Sequence, residues 1–271
     1  MKNTIFRTMA YLSHHLTAWN TGGEGIHSPY LFYMVRMLFY DANKYYCFAP
    51  IEHQRSTWLA THKPIEVDDF GSGAERNGAH YTRTIADIAR TSLESPQVGQ
   101  LLFRLTMFLT HEAGRPLQIV ELGTSLGITT AYLALPDSKN RITTLEGCGA
   151  VAALARKTWE KVGAKNVNLI EGNIDDTLGT FLNEQAGTID IAYIDANHTE
   201  EATLRYFRLL RQRAGEKSIV VVDDIHHSKE MERAWRQIEQ EEGVTSTMDL
   251  FHIGIVLFDP HYMHKNYRLR I

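Results

Sequence analysis

Cysteine is scarce: Cys47 and Cys148 are the only two in 271 residues, and they stand far apart. Two thiols cannot form a disulfide framework, and a zinc site would lack ligands at the usual spacing. A reducing, cytoplasmic setting is therefore expected. No run of about 18 apolar residues occurs, so no membrane-spanning helix and no membrane partner are expected. The N-terminal stretch has no continuous apolar core, because His14, His15 and Asn20 interrupt it, and it does not read as a signal peptide. Long runs of like charge are missing, and the formal net charge is -4. A dedicated nucleic-acid binder would carry a basic excess or stripe, so nucleic acid is not expected as a partner. There is no internal repeat and no low-complexity segment.

What is present suits a globular protein. Hydrophobic residues make up 44% of the chain and charged residues 22%, enough to bury a core of normal size. The pattern changes near residue 117. Before it, helical spacing dominates and strand signals are almost absent. Ile5, Met9, Leu12 and Leu16 recur at helical intervals. The turn-like stretch from Thr21 to Tyr30 follows, in which Ser28 and Pro29 make an N-cap and first-turn pair for a helix through Phe39. Further helices are predicted over Ile51–His62, His80–Arg90 and Val98–His111, with a loop over Asp68–Gly78.

From Leu117 onward, apolar strands alternate with helices. Strands are predicted at Gln118–Leu122, Arg141–Glu146, Val167–Glu171, Ile189–Asp195, Ser218–Asp223, Thr245–Leu250 and Ile253–Phe258. Helices are predicted at Ile128–Ala134, Cys148–Val162, Leu178–Gln185, Glu200–Arg213 and Ser228–Glu241. Such alternation builds an α/β, doubly wound, mostly parallel sheet, here of seven strands. The short link Phe251-His252 predicts a closing antiparallel hairpin. Two regions are expected: a helical cap at 1–116, used for substrate selection or dimerisation, and a catalytic domain at 117–271.

The segment Gln118–Gly127 carries the most chemistry. It reads as a strand, a tight glycine turn and a helix start. Such a turn lets a ligand approach the backbone, and the helix start offers free N–H groups. Ligands of open parallel sheets sit beyond the carboxyl ends of the strands. A dinucleotide fingerprint needs three glycines, whereas Gly123 and Gly127 have Ser125 between them. Glu121 precedes the turn; a carboxylate would repel a pyrophosphate but attract a sulfonium or an α-amino group. Glu146 ends the second strand, about 20 residues beyond the turn, where a carboxylate can accept both ribose hydroxyls. These features point away from NAD and toward S-adenosylmethionine (SAM).

The run Glu121-Leu-Gly-Thr-Ser-Leu-Gly127 resembles the first motif of class I SAM-dependent methyltransferases, in the form found in small-molecule O-methyltransferases of the catechol and caffeoyl-CoA type. The likeness covers about Leu117 to Phe258. It implies that Glu121, Gly123, Thr124, Ser125 and Gly127 frame the methionine part of SAM and that Glu146 holds the ribose. It also implies an adenine contact from Gly172 and Asn173, where the family often has Asp. The reaction implied is methyl transfer to a hydroxyl of a small-molecule acceptor.

Two more strands end in acids: Asp195 after Ile189–Ile194, and Asp223-Asp224 after Ile219–Val222. Adjacent strands would crowd the three carboxylates, which repel unless a cation or protons compensate. Oxygen ligands suit Mg²⁺ or another divalent cation. The layout is similar to that of metal-dependent O-methyltransferases, although Asp224 stands where Asn is usual. Without metal, Asp195 would orient SAM or substrate, and Asp223-Asp224 would cap the next helix. His198, His226 and His227 share that rim. His226 and His198, with Asp195, are the catalytic candidates, His226 being preferred as the base.

In the N-terminal region, His27 and Tyr30 are candidates to reach the pocket. The Gly-Ile-His-Ser-Pro turn is similar to one in uncharacterised bacterial methyltransferases and implies a helical cap. Asp69-Phe-Gly-Ser-Gly73 resembles a SAM loop in composition but has no long strand before it; it reads as a cap loop that could fold onto the cofactor. The apolar, aromatic helices make a homodimer reasonable. Alternatives remain: a metal-independent N- or C-methyltransferase, a non-catalytic SAM-fold binding module, or an NAD-dependent oxidoreductase.

Overall fold

The computed structural model describes residues 2–18, 25–70, 79–262 and 264–270. Residues 21–24 of the first turn and Gly71–Gly73 of the cap loop lie outside the described residues. Two compact units are present, residues 42–185 and residues 1–41 with 186–271.

The unit of residues 42–185 begins with α3 (Phe48–Leu59), the antiparallel hairpin β1 (Pro64–Asp69) and β2 (Ala79–Thr84), α4 (Ile85–Ser92) and α5 (Pro96–Ala113). α5 starts on Ser95, whose hydroxyl accepts from Val98 N, with Pro96 in its first turn, and stops at the left-handed Gly114. Then follow β3 (Gln118–Leu122), α6 (Ile128–Ala134), β4 (Arg141–Glu146), α7 (Gly149–Val162), β5 (Val167–Glu171) and α8 (Ile174–Glu184). β3, β4 and β5 pair in parallel. Every residue of α6 is buried, so this short helix is held by packing on both sides rather than by its own propensity.

The other unit holds α1 (Lys2–Thr17), α2 (Pro29–Phe39), β6 (Ile189–Ile194), α9 (Glu200–Arg211), β7 (Ala214–Asp223), α10 (Lys229–Ile238), β8 (Ser246–Asp249), β9 (Ile253–Leu257) and β10 (Lys265–Arg268). α2 carries the expected cap: the Ser28 hydroxyl accepts from Leu31 N, and Pro29 opens the helix. β6 and β7 are parallel, β9 is antiparallel to both β7 and β8, and the Phe251-His252 link turns the chain between β8 and β9. The strand order of the mostly parallel sheet is β10-β8-β9-β7-β6-β3-β4-β5. This is the doubly wound α/β class expected from the alternation.

The strand count differs from the expectation. The sheet has eight strands rather than seven, because β10 pairs in parallel with β8. β10 is four residues long and only Tyr267 of it is buried, which leaves no apolar run to read. The segment before residue 117 is also not all helical. The β1–β2 hairpin occupies the start of the helix expected over His80–Arg90, which begins instead at Ile85 on a Thr84 cap. Its strands are polar and held by cross-strand pairs: Thr82 Oγ1 donates to Glu66 Oε1 at 2.7 Å, and His80 meets Asp68 at 2.8 Å. Polar pairs of this kind create no hydrophobic period.

α10 lays Trp235 on bare backbone. A Cβ at Gly254 of β9 would stand 2.3 Å from Trp235 Cζ3. Gly254→Ala is expected to lower stability by about 1–3 kcal/mol through overpacking. Urea denaturation measures this, and an unchanged midpoint contradicts the packing described.

Candidate cofactor and acceptor sites

In the unit of residues 42–185, the turn after β3 is built as the sequence implied. Gly123 (φ +92°), Ser125 (φ +48°) and Gly127 (φ +74°) all have left-handed backbone. The constraint is strictest at Gly127. A Cβ there would lie 2.7 Å from Trp159 Nε1 and 3.0 Å from Ala155 of α7. Trp159 Nε1 donates to Gly127 O at 3.1 Å, and Thr158 Oγ1 donates to Leu126 O at 2.6 Å. Trp58 Nε1 of α3 donates in turn to Thr158 Oγ1 at 2.9 Å. The turn is therefore clamped from behind.

Glu121 has no exposed surface. Its Oε2 accepts from Thr130 Oγ1 (2.5 Å) and Thr144 Oγ1 (2.7 Å), so the side chain ties β3, α6 and β4 together. Thr124, also buried, shares a 2.6 Å hydroxyl contact with Thr144. Glu146 sits half-buried at the end of β4. Its Oε2 accepts from Ser125 N at 2.9 Å and its Oε1 from Cys148 N at 3.0 Å. Gly172 has φ +136°, and Asn173 caps α8 by accepting from Asp175 N at 3.0 Å. The structure thus brings the Glu121–Gly127 turn and Glu146 into direct contact, while Asn173 Oδ1 is engaged as a cap.

Two residues from before residue 117 stand at this region, one against the turn and one against Gly147 after β4. Ser92 Oγ, at the end of α4, lies 2.6 Å from Ser125 Oγ. Phe70 lies on the backbone of Gly147. Nothing marks Ser92 in the sequence, whereas Phe70 belongs to the glycine-bearing segment already noted for its composition.

The acid-ended strands β6 and β7 belong to the other unit. Asp195 lies 3.3 Å from His198 Nε2, and Asp224 lies 3.3 Å from His227 Nδ1. The His198 and His227 rings are 6.3 Å apart. Asn197, His198, Asp224 and Phe251 all have positive φ without being glycine, a strain that concentrates at functional sites. Burial pushes the Asp224 carboxyl upward, but the His227 hydrogen bond and the charges of His198, His227 and Arg7 outweigh it and hold it below its ordinary value. Asp223 is buried. α10 is capped by Ser228, which accepts from Met231 N, and not by Asp223 or Asp224. Among the described residues, no group of three His, Cys, Asp or Glu side chains is arranged to hold a metal ion. With Asp195 and Asp224 each turned to a histidine, the acids do not fit a divalent cation.

His226, the preferred base, is buried. Its Nε2 meets Asp249 Oδ2 at 2.9 Å, and Phe251 stacks on its ring at 5.3 Å. Asp249 also lies 3.2 Å from His14 Nε2 of α1 and accepts from Phe251 N at 2.9 Å. Burial pushes the Asp249 carboxyl upward, yet its bonds to His14 and His226 outweigh burial and hold it far below the usual carboxylate range. His226 is thereby built into the packing, whereas His198 is about one-third exposed. His27 is exposed, and Tyr30 stacks on Tyr262 at 5.7 Å.

The fold is a doubly wound, Rossmann-like α/β sheet of the kind found in methyltransferases. Residues 120–225 match the family model described as a methyltransferase domain. Solved structures share the fold. An O-methyltransferase from Bacillus cereus in complex with SAH is 18% identical with a TM-score of 0.55, over 80% of this chain and 93% of that one. The SAH-bound methyltransferase PaMTH1 of Podospora anserina is 14% identical with a TM-score of 0.56, over 86% and 96%. The O-methyltransferase TomG of Streptomyces achromogenes, in complex with SAM, is 20% identical with a TM-score of 0.52, over 62% and 82%. No curated protein matches the chain in sequence. Among the described residues no helix is long and apolar enough to cross a membrane.

Asp249 makes a pH test. A carboxyl whose folded value is depressed contributes stability above its unfolded value, and that contribution is lost as pH falls. Wild-type stability is expected to decline as pH drops below about 4. Asp249→Asn is expected to cost about 3–5 kcal/mol at neutral pH, because it breaks a buried pair, and to flatten that acid slope. Denaturation at several pH values checks both; an unchanged acid slope contradicts the assignment.

Proposed function

We propose that this protein is a SAM-dependent methyltransferase acting on a hydroxyl of a small molecule. The observation that carries the reading is the left-handed turn at Gly123, Ser125 and Gly127, fastened to Glu146 through Ser125 N. SAM supplies an electrophilic methyl group on a sulfonium. Gly123 and Gly127 let the methionine part approach bare backbone, and the Glu146 carboxylate at the end of β4 accepts the ribose hydroxyls. Glu121 acts from inside the fold by holding Thr130 and Thr144. Gly172 and Asn173 lie beside the adenine end. A dinucleotide is the poorer ligand, since the turn lacks a third glycine and Glu146 would face a phosphate.

For the acceptor, His198 is the group placed to take a hydroxyl proton, with Asp195 orienting it and stabilising the imidazolium. This replaces His226 in that role. The choice of a hydroxyl as the target is supported by the resemblance to small-molecule O-methyltransferases and by the structural likeness to the O-methyltransferases of Bacillus cereus and Streptomyces achromogenes. No step is routed through a divalent ion. The buried, unpaired thiols Cys47 and Cys148 support a reducing cytoplasmic setting, burial pushing the Cys47 thiol up to about 11.

Incubation with tritium-labelled SAM and a panel of catechols and other hydroxylated small molecules tests the reading. Label is expected to reach at least one acceptor, equally in Mg²⁺ and in EDTA, and His198→Ala is expected to lower kcat by about 10²–10⁴-fold. Label appearing only with a divalent ion contradicts the metal-free mechanism, and unchanged activity in His198→Ala contradicts its role as base.

We further infer that the protein self-associates through α1. Ile5, Met9, Leu12 and Leu16 are all more than half exposed and line one stripe of that helix. A single stripe can pair with its own copy about a two-fold axis. Light scattering is expected to give a dimer that Leu16→Glu converts to a monomer; a wild-type monomer overturns this.

A further inference from the structure

The β1–β2 hairpin pairs only with itself, yet an aromatic ring at the end of β1 lies against Gly147, the residue after Glu146. Phe70 follows β1 directly and is half-buried. Its Cδ2 lies 2.6 Å from the place a Cβ would take on Gly147. The ring can lie there only because residue 147 has no side chain. Gly147 is flanked by Glu146, whose carboxylate is the proposed ribose acceptor, and by Cys148, whose N–H donates to that same carboxylate.

A ribose held by Glu146 carries its base one bond from the ring, next to the adjoining backbone. A purine needs a flat apolar surface, and the residue following the ribose carboxylate offers none of its own. Phe70 supplies it. Ser92 supports the arrangement from the same part of the chain, through its 2.6 Å contact with Ser125. Phe70 and Ser92 thus stand at Gly147 and at Ser125 respectively.

We propose that Phe70 is the stacking partner of the cofactor's adenine, standing in for the side chain that Gly147 lacks. This rests on the SAM reading above. A stacking role differs from a filling role: leucine fills the same space but offers no aromatic face.

The test is calorimetric titration of S-adenosylhomocysteine into wild type, F70Y, F70L and F70A, with thermal melts alongside. F70A is expected to weaken binding about tenfold, F70L several-fold at an unchanged melting temperature, and F70Y to bind as wild type does. Should F70A not fold, F70L against F70Y decides the matter. Equal affinity in wild type and F70L overturns the stacking role while leaving the SAM reading intact. No binding by folded wild type overturns both.

Discussion

The carboxyl group of Glu121 is the constraint on which the cofactor turn depends. It lies fully buried, where an unbonded carboxyl would be costly. Thr130 and Thr144 hold it, so one side chain fixes the end of β3, the first turns of α6 and the adjacent strand β4. Thr124 joins the same cluster through Thr144. With those three elements locked, the chain between them must pass through left-handed backbone at Gly123, Ser125 and Gly127. Trp159 and Thr158 grip that backbone from the other side. The turn is set before any ligand arrives, which spares the cost of ordering it on binding.

A similar economy governs the other unit. Its strained non-glycine residues fall just beyond the carboxyl ends of β6, β7 and β8. Asp249 anchors this region by engaging His14, His226 and the Phe251 amide together, and so joins α1 to β8 and the segment after β7. His198 and His227 remain at the rim, each beside an acid. The buried pair, His14 and His226, is built into the packing around Asp249, whereas the rim pair stands nearer the surface.

Much of this was legible in the sequence, for a physical reason. Parallel strands read as apolar runs, so β3 to β6 stood out almost to the residue, whereas β7 begins four residues before the expected Ser218, in the polar stretch Ala214–Lys217. The glycines equally marked the left-handed turn after β3. What escaped was held by something other than hydrophobic pattern. The β1–β2 hairpin rests on His80–Asp68 and Thr82–Glu66 pairs, and β10 is a short polar edge. The engagement of His226 depended on Asp249, 23 residues away, and proximity to Asp223-Asp224 in sequence suggested freedom where packing took it away. The metal expectation rested on three acids near one another in a pattern, which gives no sign that Asp195 and Asp224 each stand beside a histidine.

The central claim is that the Glu121–Gly127 turn and Glu146 form a site for SAM rather than for a dinucleotide. Parallel calorimetric titrations of SAM and of NAD⁺ into the wild-type protein address it most directly. Saturable one-to-one binding of SAM in the micromolar range, with no heat from NAD⁺, is the predicted result. Binding of NAD⁺ with none of SAM, by protein shown to be folded, would contradict the account.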